Sequence, residues 1–328
     1  MNILVTGATG FIGRHLVPTL FKKGWSVRCL ARTTSVQPEE FRYRAEWVIG
    51  DLQDLDSLKE ACKNIDLVIH LAGTIKANAI DDFYSINAGG TRNLLEAILQ
   101  SGNSNAKFIL ISSQAALGPA SNQRPLTEDD KPRPVSNYGK SKLEAEKIIL
   151  EYRNLIRSII IRPSVVYGPG DRESLSLFRL AGHHINPHIG FKSTYINSIH
   201  VQDLVQLIHL SIENNVTSGE IFNANDGMDR GYSTEDVIKC AARSLGTWTI
   251  PIYIPKTILK MLALISSGIS KISGDASMIN PDKYRELSAR YWIFSSQKAR
   301  SVLGFSAQYD LNTGFQMTAD WYREQQWL

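Results

Sequence analysis

A short apolar strand that runs straight into glycines at every third position constrains this chain more than any other feature. Ile3-Leu4-Val5 leads into Thr6-Gly7-Ala8-Thr9-Gly10-Phe11-Ile12-Gly13. Apolar residues at helical spacing follow (Phe11, Ile12, Leu16, Leu20), then Gly24 and a second strand over 26–31. Glycines at this spacing alone would mean only a tight turn. Between a strand and a helix they form a βαβ unit whose backbone N–H groups face a pyrophosphate at the positive end of the helix dipole. Gly7, Thr9, Gly10, Phe11, Ile12 and Gly13 are therefore candidate cofactor-binding residues.

The alternation continues. Strands are predicted over 46–49, 66–71, 107–111 and 158–162, with helices over 55–62, 87–100 and 138–152 between them. Nearly continuous apolar strands in such an order imply a parallel sheet covered on both faces, an α/β chain of the Rossmann-type doubly wound class. After Pro163 the rhythm weakens, and from about Trp248 the chain reads as mixed helices and loops. The expected organisation is a dinucleotide-binding domain over 1–165, with 192–215 returning to it, and a smaller, mixed α/β substrate domain over 166–191 and 216–328.

Composition narrows the function. A formal net charge of +4 over 328 residues, with Lys and Arg scattered, argues against a nucleic-acid partner. Cys29, Cys62 and Cys240 are odd in number and far apart, which fits a reducing compartment and no metal site. No basic, cleavable segment precedes the first strand, so a cytoplasmic location is expected. The stretch 257–272 is interrupted by Lys260 and Lys271 and falls short of the ~18 uncharged residues of a spanning helix. It is expected to lie on a membrane surface or to cover an apolar substrate.

Two further signals bear on chemistry. The second strand reads Val27-Arg28-Cys29-Leu30-Ala31-Arg32, with no acid before Glu39 to take the adenosine ribose hydroxyls. Arg32 suits a 2′-phosphate instead, which favours NADP over NAD. Of the twelve tyrosines only Tyr138 has Lys four residues on, at Lys142. That spacing also suits an ordinary solvated helix edge. A phenol with an intrinsic pKa near ~10 carries protons at neutral pH only if something favours the phenolate, and a cation one turn away does so.

The sequence resembles the extended short-chain dehydrogenase/reductase superfamily, the NAD(P)-dependent epimerase/dehydratase type. The likeness covers nearly the whole chain through T-G-A-T-G-F-I-G at 6–13, G-D-L at 50–52, H-L-A-G at 70–73, N-A-G-G-T-R-N-L-L-E-A at 87–97, I-S-S at 111–113, Y-G-K-S-K at 138–142, R-P-S-V-V-Y-G-P-G-D at 162–171 and I-H-V-Q-D at 199–203. The resemblance implies that Lys142 holds the nicotinamide ribose while Tyr138 exchanges a proton with the substrate oxygen. Ser113, five residues before Gly118, is implied to hydrogen-bond that oxygen, with Ser112 the competitor. Asp51, Leu52, Leu71, Ala72, Gly73, Asn87, Ser112, Pro163 and Val166 are implied to line the cofactor, and Gln114, Tyr167, Arg172 and Tyr195 the substrate. It also implies a homodimer built on the helices at 82–100 and 137–152.

Within that family, Ser113 is followed by Gln114 and Ala115 and not by the Asp-Glu of nucleotide-sugar dehydratases. Tyr195-Ile196-Asn197-Ser198 lacks the Arg that anchors a sugar diphosphate in many epimerases. The second strand and the S-S-x-x-x-x-G-P run look more like the 3β-hydroxysteroid dehydrogenase and dihydroflavonol reductase branches. The expected activity is hydride transfer between nicotinamide and a ketone or secondary alcohol on a small, fairly apolar substrate. A nucleotide-sugar 4-epimerase with tightly held NAD is the alternative, and a non-catalytic dinucleotide sensor or assembly protein a third. His183, His184 and His188 are read as part of a mobile substrate loop and not as metal ligands, for want of helical spacing and a carboxylate partner.

Overall fold

The computed structural model describes residues 1–77, 79–103, 105–261 and 281–328. Its contacts divide the chain into two compact units. The first comprises Met1–Ala116, Asn137–Arg162 and Ile208–Phe222. Its strands are β1 (Asn2–Thr6), β2 (Ser26–Ala31), β3 (Glu46–Ile49), β4 (Leu67–His70), β5 (Lys107–Ile111) and β6 (Ser158–Pro163). With a later strand at Glu220–Ala224 they form one seven-stranded sheet in the order β3-β2-β1-β4-β5-β6 and then that strand. Every pairing from β3 to β6 is parallel, and Thr6 lies level with both Leu30 and His70. The order reverses between β1 and β4, which is where open parallel sheets bind ligands at their carboxyl ends.

The central strands are largely apolar because both faces are covered: all of Leu67–His70 and all of Ser158–Pro163 are buried. Helices α1 (Phe11–Lys22) and α2 (Leu55–Ala61) follow β1 and β3. On one side the core gathers Leu4, Leu58, Val68, Leu94, Phe108 and Ile149. The helix expected over 87–100 starts earlier and is irregular. A short α3 (Ile80–Phe83) runs through a π-helical turn, Tyr84–Gly89, into α4 (Gly90–Gln100). The extra residue of a π turn is invisible to a 3.6-residue pattern.

Two boundaries differ from those expected. Residues 117–136 belong to the second unit, where Ala120 and Leu126 bridge to Tyr291 and Phe294. The returning segment is 208–222, where 192–215 was expected, because Lys107 Nζ gathers the carbonyls of Ser211, Ile212 and Asn214 while Thr19 Oγ1 shares a 2.7 Å hydrogen bond with His209 Nε2.

The second unit packs helices and short sheets around Tyr167, Phe178, Ala241, Phe315 and Tyr322. Asp229 ties it together, accepting from both Arg300 terminal nitrogens, Ser295 Oγ and Ser296 N. Burial alone would raise the Asp229 pKa, but these donors hold it below the usual carboxylate value. Two stretches expected to be irregular form a parallel ribbon instead, Ile185–Ile189 paired with Ile250–Ile254. The β-branched residues on both strands explain it. The stretch 257–272 lies mostly outside the described residues; 256–261 are helical.

Candidate active site

The glycine loop closes as its spacing requires. Gly10 N donates to Gly7 O at 3.0 Å, and Gly7 takes φ +75°, a conformation side chains avoid. A Cβ on Gly7 would stand 2.7 Å from Ala72 N, and one on Gly13 would stand 2.4 Å from Gly7 O. Gly10 is different: a Cβ there would meet only Gly7 O, at 3.3 Å, so its outer side is open to a ligand. Gly10 caps α1 without a side-chain bond, and the first turn carries no acid. These features fit a dinucleotide pyrophosphate. Thr9, Phe11 and Ile12 are half-buried around the turn.

The ends of β4 and β5 carry the next elements. Asn87, buried in the π turn, accepts from Thr74 N at 2.8 Å and donates to Thr74 O and to Ser141 Oγ. It thereby fixes the loop Leu71-Ala72-Gly73. Gly73 has no room for a side chain, since its Cβ would lie 2.8 Å from Asn87 Oδ1 and 3.9 Å from Lys142 Nζ. Leu52 packs against Gly90, while Asp51 Oδ1 accepts from Gln53 N. Below, Thr6 Oγ1 and His70 Nδ1 share a 2.6 Å hydrogen bond. Burial first, and the Lys142 charge second, push His70 down to about 3, so its imidazole is neutral.

Helix α5 (Asn137–Tyr152) aligns Tyr138, Lys142 and Glu146 one turn apart on the same side. Tyr138 is half-buried, its ring 6.4 Å from Phe83. Lys142 is buried and donates to Ile111 O at 2.7 Å. Burial lowers its pKa to about 8, with Glu146 pulling the other way. Glu146, equally buried, takes both Arg162 Nε at 2.9 Å and Arg162 Nη2 at 2.6 Å and also accepts from Ser112 Oγ. Ser112 therefore spends its hydroxyl proton inside the protein. Ser113 is half-exposed, and its Oγ accepts from Ala115 N at 3.1 Å, which leaves its proton for a ligand. Gln114 Nε2 is buried and finds no partner among the described residues.

Sequence reasoning missed Glu146 and Thr6. The signal for Glu146 was its place four residues beyond Lys142 on a helix face that is otherwise core.

Arg32 is exposed just after β2, with no carboxylate in that strand. The other expected residues belong to the second unit. Pro163 is buried and Val166 half-buried. Tyr167 is 1 % exposed and is used for packing, 4.9 Å from Phe315 and 5.5 Å from His200. Tyr195 stacks on Tyr291, and Arg172 lies over the Trp327 ring. His184 precedes the strand Ile185–Ile189 and stacks on Trp248, while His188 lies within it, its ring 4.9 Å from Tyr253, so 185–189 is a strand where a loop was expected. Among the described residues no three His, Cys, Asp or Glu cluster as a metal site would need. All three cysteines are free and buried, with Cys29 and Cys62 raised to about 12 by burial.

The model of one family, the NAD dependent epimerase/dehydratase family, matches residues 3–224. The chain belongs to that family. Ceramide reductase of Caulobacter vibrioides (strain NA1000 / CB15N) is 32% identical over 99% of this chain and 96% of its own length. Sterol-4-alpha-carboxylate 3-dehydrogenase, decarboxylating, of Dictyostelium discoideum is 26% identical over 95% and 98%. The solved structure of MoeE5 with UDP-glucose and NAD superposes with a TM-score of 0.78 at 27% identity, covering 99% of this chain and all of that one. The family's members are NAD(P)-dependent oxidoreductases, epimerases and dehydratases, and this chain is an enzyme of that kind.

Proposed function

We propose that this enzyme transfers hydride between a nicotinamide cofactor and a ketone or secondary alcohol on a fairly apolar substrate. The observation that carries the reading is the buried Lys142, held on the carbonyl of Ile111 beside Ser112 and Ser113 and one helical turn from Tyr138. When bound, the nicotinamide supplies or accepts the hydride. Tyr138 gives the oxygen its proton in reduction and takes it in oxidation, and Ser113 donates a hydrogen bond that orients that oxygen. Lys142 stays largely protonated below about pH 8 and favours the phenolate between turnovers. Gln114 Nε2 is the substrate-side donor.

An apolar substrate is supported by the likeness to a ceramide reductase and a sterol dehydrogenase, and the missing carboxyl pair after Ser113 argues against dehydration. The epimerase reading is kept because MoeE5 holds UDP-glucose and NAD on a similar fold. NADP is preferred on account of Arg32. Two copies are taken to pair through the helices at 82–100 and 137–152, in the cytoplasm.

Tyr138→Phe tests the reading. Turnover on a panel of long-chain ketones should vanish while cofactor affinity, read by fluorescence titration, stays within about twofold, because the phenol acts on the reacting oxygen. Undiminished turnover by the Phe variant would remove Tyr138 from the chemistry.

A further inference from the structure

Residues directly opposite each other on neighbouring strands point to the same side. In the ribbon of Ile185–Ile189 and Ile250–Ile254, Asn186 and His188 are buried, and Asn186 Nδ2 reaches Glu235 O in the helix Thr234–Leu245. The opposite face is made of Ile185, Pro187, Ile189, Ile250, Ile252 and Ile254 and carries no polar side chain. Ile250 and Ile252 are 53 % and 45 % exposed. At the edge Trp248, 61 % exposed, stacks on His184.

The chain that forms this face carries charge of one sign. Residues 174–202 and 237–261 contain no Asp or Glu, although the chain holds 32 acids in 328 residues. They carry Lys192 beside Phe191, and Lys256 and Lys260 just beyond the ribbon. The Lys256 stem lies over Gly190, where a Cβ would be 3.4 Å from it. Lys192 and Lys260 have no ion-pair partner among the described residues, and both are exposed. An exposed apolar face with an aromatic at its edge and unpaired lysines close by in the chain is what the headgroup boundary of a negatively charged bilayer accepts. A second copy fits badly, because an isologous contact would bring the same lysines together.

We propose that this ribbon face is a docking surface for an anionic lipid bilayer. The proposal goes beyond the hydride-transfer reading and needs no turnover, so either can fail without the other. The test is sedimentation of the full chain with vesicles of phosphatidylcholine alone and of phosphatidylcholine mixed with phosphatidylglycerol. The protein should pellet with the mixed vesicles and about tenfold less with the neutral ones, since the lysines supply much of the attraction. Ile250→Ser with Ile252→Ser should lose most of the pelleted fraction. Lys192→Glu with Lys260→Glu should lose the preference for phosphatidylglycerol. Unchanged melting temperature and NADPH fluorescence show that each variant is folded. Wild-type protein left in the supernatant with both vesicles, equal pelleting with both, or variants that pellet like wild type would each overturn the proposal. So would a dimer, seen by sedimentation velocity, that either pair of substitutions dissolves.

Discussion

Lys142 Nζ donates to the carbonyl oxygen of Ile111 at 2.7 Å, so the charged end of a buried side chain is tied to the last residue of β5. The tie aims the ammonium and does not remove the cost of burying it, because the pKa falls from 10.5 to about 8. A cation whose folded pKa lies below its unfolded value binds fewer protons when folded, so the protein gains stability as pH rises between those values. The full interval is worth about 3 kcal/mol. Lys142→Met should abolish turnover, and the wild type should gain stability relative to it from pH 8 to 10.5. Urea titrations at both pH values check the sign. A constant difference would mean that the amine is not strained.

Glu146 and Arg162 form the charged pair beneath that lysine, each with a side chain 2 % exposed. Breaking a buried pair from one side leaves an uncompensated charge and costs about 3–5 kcal/mol. Glu146→Gln should lower the denaturation midpoint accordingly, and Glu146→Leu combined with Arg162→Met should recover most of the loss. The same Gln variant removes the charge that opposes the fall in the Lys142 pKa, so the alkaline limb of the pH–rate profile should move to lower pH. A limb that stays in place would confine Glu146 to a packing role.

Much of this was legible in the sequence because the parallel sheet and the glycine loop depend on local rules. Strand Lys107–Ile111 is predicted and observed over the same residues, since the buried run of a parallel strand, here Phe108 to Ile111, is continuously apolar. The π turn at Asn87 was not legible, because it arises from tertiary bonds to Thr74 and Ser141. Glu146 was hidden for a similar reason: a helical acid normally faces water, and only the fold brings Arg162 to it. The ribbon strand at 250–254 was missed because both its proline and its exposure argue against a strand.

Gly13 and Gly24 separate crowding from backbone strain. A Cβ on Gly13 would meet Gly7 O at 2.4 Å and Ala8 atoms at 2.6 Å, all of it backbone that cannot step aside. Gly24 takes φ +75° but has nothing within 4 Å of a Cβ. Gly13→Ala should cost about 1–3 kcal/mol from overpacking and weaken cofactor binding through the displaced turn. Gly24→Ala should cost about 1–2 kcal/mol from the left-handed backbone and leave cofactor affinity alone. Thermal unfolding and fluorescence titration of both variants check this, and equal loss of cofactor affinity would detach the loop geometry from binding.

The proposed preference for NADP rests on Arg32. It stands exposed one residue beyond β2, a strand without a carboxylate to receive ribose hydroxyls. A 2′-phosphate placed there would gain a charge-assisted bond to the guanidinium, whereas NADH offers it only a hydroxyl. Hydrogen bonds to charged groups are worth about 1.5–3 kcal/mol, so Arg32→Ala should weaken NADPH by roughly ten- to a hundredfold and leave NADH nearly unchanged. Because the site is exposed, the NADPH preference should also shrink as salt is raised. Fluorescence titrations of both cofactors at two ionic strengths read all three effects. Tight NADH binding indifferent to Arg32, or cofactor that survives purification, would move the reading toward an epimerase, in which the nicotinamide is reduced and reoxidised without leaving the protein.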